Sequence, residues 1–358
     1  MATTLVWRTD AHLADQPPQS RIDDWAGTIL GKLTQVGDVA RQFNASLVLD
    51  GGDLFHVKSP SRTSHELVQR VAEIHRAYPC PTAGNVGNHD VKYGDFRFLS
   101  EAPLGVLFQS RVLLPCYGDS ELYLGWGGTR MQVYPYNRVT GWGRAGNPFA
   151  SREAKKEPLI RIVGIPFHGT AYDVNRFSAI TKGKEDYLVV MVHCLASEQG
   201  GSMFEAEDII KYEDLVSLDP DVYFFGHWHK DQGIKQIAKD KWVVNTGSLS
   251  RGSISQDDVG RVPVCVAVSF DFPGVGSSPI TFQKVPLQVV PSADVFDLVG
   301  KTRQEGRKMT VDALVDSLKT SLTVRQEGSL LEEVKALPDV PDPVKERTLG
   351  YLERAGAR

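Results

Sequence analysis

The spacing of apolar and polar positions changes period several times within the first hundred residues. Residues 4–9 read as a short strand. Ile22, Trp25, Ile29, Leu33, Val36 and Ala40 then recur at helical spacing, and 46–49 is a compact run of strand character. This order predicts a β-α-β unit. Leu67, Val68, Val71, Ile74 and Tyr78 share one face of a second amphipathic helix, which leads into Pro79-Cys80-Pro81 and a glycine-rich turn from Gly84 to Asn88. Further strands are predicted over 159–166, 187–193, 221–225, 242–245 and 262–271, so the chain reads as α/β, with packed sheets and helices outside.

Between Tyr117 and Glu157 glycines and aromatic residues interleave, as in Gly125-Trp126-Gly127-Gly128 and Gly141-Trp142-Gly143-Arg144, which predicts hairpins and a long surface loop. No Lys-Ser/Thr pair follows Gly128, so a plain turn is favoured over a phosphate cradle. After Pro286 the pattern turns helical. Thr310 can cap a helix with Val311, Leu314, Val315, Leu318 and Leu322 on one face; Ser329 with Glu332 makes a capping box; Asp342-Pro343 reads as an N-cap and first-turn proline. Two regions are expected: a main domain over 1–285 and a small helical cap or interaction region over 286–358.

Composition narrows the class. With 358 residues, 41% hydrophobic and 23% charged, the chain can bury a sizeable core. A formal charge of -4 excludes bulk attraction to nucleic acid, so any such binding needs a local basic patch or a metal centre in a cleft. No apolar run approaches the ~20 residues that cross a bilayer, and 1–7 is too short for a secretory segment, so a cytoplasmic protein without membrane contact is expected. Cys80, Cys116, Cys194 and Cys265 are far apart and form no C-x-x-C pair, which fits reduced thiols better than disulfides or a thiolate zinc site. Cys194, beside His193, reads as a small residue at a strand end and not as a nucleophile.

The chemistry gathers around histidine. Asp10-Ala11-His12, Asp50-Gly51-Gly52-Asp53-Leu54-Phe55-His56, Gly87-Asn88-His89-Asp90, His193 and Gly226-His227-Trp228-His229 each follow a predicted strand or sit in a glycine-rich turn. Strand C-termini are where α/β folds hold ligands. Singly each is weak: a lone His such as His193 is more often a satisfied core or surface residue. Together they offer carboxylate and amide oxygens with imidazole nitrogens and no thiolate, a donor set that suits two divalent ions of the Mn, Fe, Zn or Mg kind. An Asp between two such ions can bridge them at roughly 3.5–4 Å.

In this order the motifs resemble the calcineurin-like metallophosphoesterase superfamily. Gly51 to His56, Ser59-Pro60-Ser61 and Thr246-Gly247-Ser248-Leu249-Ser250-Arg251 further resemble the SbcD-type double-strand-break-repair nucleases, phage recombination versions included. The resemblance implies a four-layer α/β/β/α sandwich with a small helical C-terminal extension. It implies one ion on Asp10, His12, Asp53 and His229, and a second on Asp53, Asn88, His193 and His227, with Mn the expected metal. His89 would sit over the scissile phosphate and help the leaving group, Asp90 would orient the His89 ring, and His56 would be the second phosphate-side histidine.

The implied reaction is attack of a metal-bridged hydroxide on a phosphodiester, with expulsion of a sugar oxygen. Because the imidazole ligands must be neutral, metal binding is expected to weaken below about pH 6. DNA is the expected partner in repair or recombination, with Lys58, Arg62 and Arg251 as candidate backbone contacts and Lys92 and Arg97 as weaker ones. An SbcC-type ATPase and a second copy of the chain are further partners compatible with the resemblance. Two features depart from it: the short helical tail, and Trp7-Arg8-Thr9 where a small or apolar residue and Ser commonly precede the first Asp. The alternatives are a phosphomonoesterase or cyclic-nucleotide-type phosphodiesterase with a small substrate, and a non-catalytic scaffold, against which the complete ligand set argues.

Overall fold

A computed structural model describes residues 2–57, 63–127, 130–142, 157–200, 207–272, 280–298, 300, 330–338 and 340–354. Along the first half run β1 (Ala2–Arg8), β2 (Leu47–Asp50), β3 (Thr82–Gly84), β4 (Leu114–Pro115), β5 (Ser120–Trp126), β6 (Met131–Asn137), β7 (Gly141–Trp142) and β8 (Leu159–Ile165). The second half adds β9 (Tyr187–His193), β10 (Ala196–Ser197), β11 (Ile210–Lys211), β12 (Val222–Gly226), β13 (Asp231–Ala238), β14 (Lys241–Thr246), β15 (Val264–Asp271) and β16 (Ile280–Pro286). The longer helices of this part are α1 (Trp25–Gln42), α2 (His65–Arg76) and α3 (Pro103–Gln109).

Two sheets result. One has the order β16-β15-β1-β2-β3-β4, the other β13-β14-β12-β9-β8-β5-β6-β7, and β10 pairs separately with β11. Within the first sheet β1, β2, β3 and β4 run parallel; within the second β8, β9, β12 and β14 do. Alternation along the strands divides the interior into layers. Leu5 and Trp7 of β1 and Leu47 and Leu49 of β2 meet Val189 and Met191 of β9 and Val222 and Phe224 of β12 in a core between the sheets. The Trp7 and Phe224 rings stack across it with centroids 4.8 Å apart. Val6 and Val48 point the other way, under Ile29, Leu33 and Val36 of α1 and Leu67 and Val71 of α2. Val190 and Val192 of β9 and Tyr223 and Phe225 of β12 are covered by Phe177, Ile180 and Leu215 from the outer connections of the second sheet. The α/β/β/α layering expected from the motifs is thus the observed fold.

The elements start where side chains supply the missing backbone partners. Asp24 accepts from Gly27 N–H ahead of α1, and Ser64 from Leu67 N–H ahead of α2. Ile22, read into α1 by its spacing, precedes that cap and is exposed. β13 and β16, which the pattern did not mark, are edge strands carrying Lys235, Gln236, Gln283 and Lys284, the polar dress of an edge. In the expected hairpin region, β5 pairs antiparallel with β6 and β6 with β7, and Gly125 and Trp126 lie inside β5.

The chain divides into two compact units at Phe296/Asp297, not at 285/286. Leu287 N–H bonds to Pro263 O, and Phe296 is buried beside the guanidinium groups of Arg21 and Arg251, so 287–296 belong to the first unit. In the second unit the structure describes helices at Leu330–Ala336 and Asp342–Arg354. The N–H groups of Val344 and Lys345 close onto Pro341 O, so Asp342 lies inside the first turn instead of capping it. The expected helix with Leu314, Leu318 and Leu322, and Ser329 of the capping box, lie outside the described residues. Among the described residues no helix is long and apolar enough to cross a membrane.

Candidate metal centre

Asp10, Asp53 and Asn88 follow β1, β2 and β3 of the first sheet; His193 ends β9, and His227 and His229 follow β12, in the second. The structure brings these strand ends to one place. Asp10 N–H bonds to Gly52 O at 3.0 Å, His12 N–H to Asp53 O at 2.9 Å, and His227 N–H to Asp10 Oδ2 at 3.0 Å. Such tight reversal strains the chain: Asp10, His12, Asp53 and His227 all have positive φ, between 50° and 87°, a conformation of order 1–3 kcal/mol above the common basins that clusters at functional sites. Two glycines permit the approach. A Cβ on Gly52 would lie 2.7 Å from Gly87 N, and one on Gly226 would lie 2.3 Å from Thr9 Oγ1.

Among the described residues the donor atoms fall into two groups that contain a carboxylate, and His12, His56 and His89 form a third, of imidazoles alone. His12 Nε2 is 2.9 Å from His229 Nε2, and both nitrogens are 3.7 Å from Asp10 Oδ1. His193 Nε2 is 3.3 Å from Asp53 Oδ2, with His227 in the same cluster. Asp53 stands between the groups, because its Oδ2 is also 3.6 Å from His12 Nε2. Asp53 Oδ2, Asn88 Oδ1 and His193 Nε2 are buried without a hydrogen-bond partner. Buried polar atoms are ordinarily satisfied; converging lone pairs with no donor among them are satisfied by a cation. The residues present therefore fit two divalent ions, one on Asp10, His12 and His229, one on Asn88, His193 and His227, with Asp53 facing both. His193 Nδ1 donates to Gly51 O at 2.9 Å, which leaves Nε2 as the acceptor on the ion side.

The electrostatics agree. Burial alone would raise Asp10 and Asp53, yet both are held below the usual carboxylate range, Asp10 by its hydrogen bond to His12 and the His193 and His229 charges, Asp53 chiefly by His193. Burial opposes protonation of His193, but Asp53 prevails and lifts it to about 10; burial, then the His12 charge, pushes His229 down to about 4. Cation binding at these imidazoles competes with their protonation.

His89 and His56 lie beside these groups. His89 N–H donates to Asp53 Oδ1 at 2.7 Å, the His56 and His89 rings stack with centroids 4.5 Å apart, and His56 Nδ1 is 3.3 Å from His12 Nδ1. Asp90, expected to orient the His89 ring, instead spends both oxygens on backbone: Oδ2 accepts from Asp53 and Gly87 N–H, Oδ1 from Phe55 N–H, at 2.7–2.9 Å. It clasps the second and third motif loops together. Burial and then the Asp53 charge push it up to about 8.

A cavity of about 410 Å³ opens over Asn88, His89, His227 and His229 and is rimmed by Glu207, Lys230, Asp257 and Asp258. A second, of about 260 Å³, lies against His12, His56 and His89 with Trp25 on its wall. Several of these residues carried no sequence signal. Glu207 meets His227 from a different loop, and Phe167 packs on His193 and His227 at 6.5 and 5.4 Å; neither sits in a motif, and each finds its partner through the fold.

The basic residues divide. Lys58 and Arg62 lie outside the described residues. Arg251 is not available to a DNA backbone: it is 3% exposed, and its guanidinium donates to Ser292 Oγ and Val290 O. Lys92 pairs with Glu101 and Arg97 with Asp95 on the surface. Cys194 is buried, which raises its thiol far above the reactive range.

The sequence model of the calcineurin-like phosphoesterases matches residues 9–231, a span that takes in every motif of the centre. The chain belongs to this family. Solved structures similar to this phosphoesterase include a dimetal phosphatase from Danio rerio, 11% identical over 79% of this chain and 98% of that one, with a TM-score of 0.43. An archaeal phosphodiesterase is 10% identical over 80% and 100%, with a TM-score of 0.34, and a Thermus thermophilus protein is 12% identical over 79% and 99%, with a TM-score of 0.42. No curated protein matches the sequence significantly. The phosphoesterase is a metal-dependent hydrolase; when bound, the ions supply Lewis acidity toward phosphate oxygens and acidify a water near neutral pH.

Proposed function

We propose that this phosphoesterase is a two-metal phosphodiesterase that cleaves DNA in repair or recombination, with Mn as the working metal. The observation that supports this reading best is His56. It comes from the Gly-Gly-Asp-Leu-Phe-His segment that resembles the repair nucleases, and its ring packs on His89 and approaches His12, making with them a histidine-only set beside the two carboxylate-bearing groups. His89 and His56 face a phosphate as paired donors. His89, fixed by its N–H bond to Asp53, gives a proton to the departing sugar oxygen, while His56 holds a non-bridging oxygen. The Trp25-walled cavity beside them offers an apolar surface for a base next to the cleaved bond.

A small-substrate esterase is the second reading, and the rim favours it. Among the described residues lining the two cavities Lys230 is the single lysine, there is no arginine, and Glu207, Asp257 and Asp258 are acidic. Purified protein with Mn, given end-labelled duplex and single-stranded DNA beside p-nitrophenyl phosphate mono- and diesters, separates the two. Cleavage of DNA at rates well above the diester is the expected result; turnover of the small esters alone would transfer the site to the second reading.

A further inference from the structure

His227 differs from the other imidazole assigned to the second ion in what holds its far side. Where His193 leans on a backbone carbonyl, His227 Nε2 lies 2.8 Å from Glu207 Oε1. The same oxygen takes the hydroxyl hydrogen of Tyr172. The Tyr172 oxygen in turn accepts the N–H of Leu195, two residues past His193, at 3.2 Å. Backbone bonds fix the segment that carries the carboxylate: Asp208 N–H donates to Thr170 O at 2.9 Å, and Tyr172 N–H to Asp208 Oδ2 at 3.2 Å.

We propose that Glu207 is a positioning residue for the second ion. By accepting a hydrogen bond from His227 Nε2–H it favours the tautomer in which Nδ1 carries the lone pair, leaving Nδ1 free to meet the ion. A carboxylate behind a ligating imidazole sets ring orientation and would make the imidazole a stronger donor to a bound ion. Tyr172 ties the carboxylate to the chain following His193, so both imidazoles of this ion are steadied from one short relay. Glu207 and Tyr172 themselves make no hydrogen bond to the Asp10, His12 or His229 side chains; the link to the first group runs only through the His227 backbone N–H on Asp10 Oδ2. The inference rests on the two-ion reading of the centre and is independent of which phosphate ester is cleaved.

Metal-depleted parental protein, Glu207→Ala, Glu207→Gln and Tyr172→Phe would be titrated with Mn by calorimetry, with circular dichroism to confirm folding. Parental protein binds two ions. Glu207→Ala is expected to weaken one of them by about 10- to 100-fold and leave the other unchanged. Glu207→Gln keeps an acceptor oxygen without the charge and should fall between parental and Ala, and Tyr172→Phe should lose less than Ala. ¹⁵N NMR of the metal-free protein gives a readout that general loosening would not mimic: His227 held as the Nε2–H tautomer in the parental protein and a mixture in Glu207→Ala. Two parental affinities in folded Glu207→Ala, or equal weakening of both ions, overturns the role of Glu207. Failure of the parental protein itself to bind two ions overturns the two-ion reading and this inference with it.

Discussion

Single residues in this site separate by what their atoms touch. Asp53 faces both donor groups, whereas His89 reaches the centre through a backbone N–H and leaves its ring for the cavity. His89→Gln is therefore expected to keep both ions and slow phosphodiester cleavage by about 10²- to 10⁴-fold, the range for loss of a positioned acid. Asp53→Asn should weaken both ions together. Parallel metal analysis and rate measurements on the two variants test the division; an ion lost from His89→Gln would place that ring among the ligands. The candidate ligands stood out in the sequence because they gather at or just past the ends of apolar runs, and Asp53, Asn88 and His227 directly follow a glycine. Glu207 was not, since what makes it matter is a histidine 20 positions later that only folding brings within reach. Arg251 misled for the opposite reason: a cation near a motif looks exposed until the chain from 290 to 292 closes over it.

At the level of elements, Arg8 accounts for the unusual Trp7-Arg8-Thr9. Trp7 faces the neighbouring sheet, so Arg8 faces α2, where it is buried with Asp50 of β2 at 2.7 Å and His75 Nε2 at 2.8 Å. His75 Nδ1–H donates to Val71 O, so Nε2 accepts from the guanidinium and the ring must stay neutral. Burial, then the Arg8 charge, pushes His75 down to about 3. A depressed histidine contributes stability that is complete above its unfolded value near 6.5 and is lost as pH falls toward 3, because the unfolded chain takes up the proton first. Parental protein should lose about 1–2 kcal/mol more than His75→Gln between pH 6.5 and 5 in urea unfolding; parallel stability curves would show that the ring titrates normally. The interior elements were readable because their apolar runs are long. The edge strands β13 and β16 were not, since an edge strand is kept polar to discourage pairing with other chains.

For the molecule as a whole, the position of Phe296 decides where the first unit ends. Its ring lies under two guanidinium groups that also hold the 248–258 segment: Arg21 donates to Arg251 O, and Arg251 to Val290 O. A chain ending at Phe296 should fold and bind metal like the full-length protein, whereas one ending at 285 should be markedly less stable; thermal unfolding with metal titration of both checks this, and an unfolded 1–296 would merge the two units. The overall class and the main unit could be read from the sequence because strand and helix periods alternate. The true end could not, because it depends on one aromatic ring meeting arginines more than 40 positions upstream. The distribution of ligands over two sheets has a kinetic side as well. Asp10 and His229 are separated by most of the main unit, so the contacts that complete either ion site are among those of longest sequence separation, the kind that form slowly and late. A nascent or partly unfolded chain with only its first sheet in place would have the carboxylates and Asn88 but lack three of the histidines, and with them any hydrolytic power, so that reactivity toward phosphate esters arrives only when the two halves of the sandwich have closed on each other.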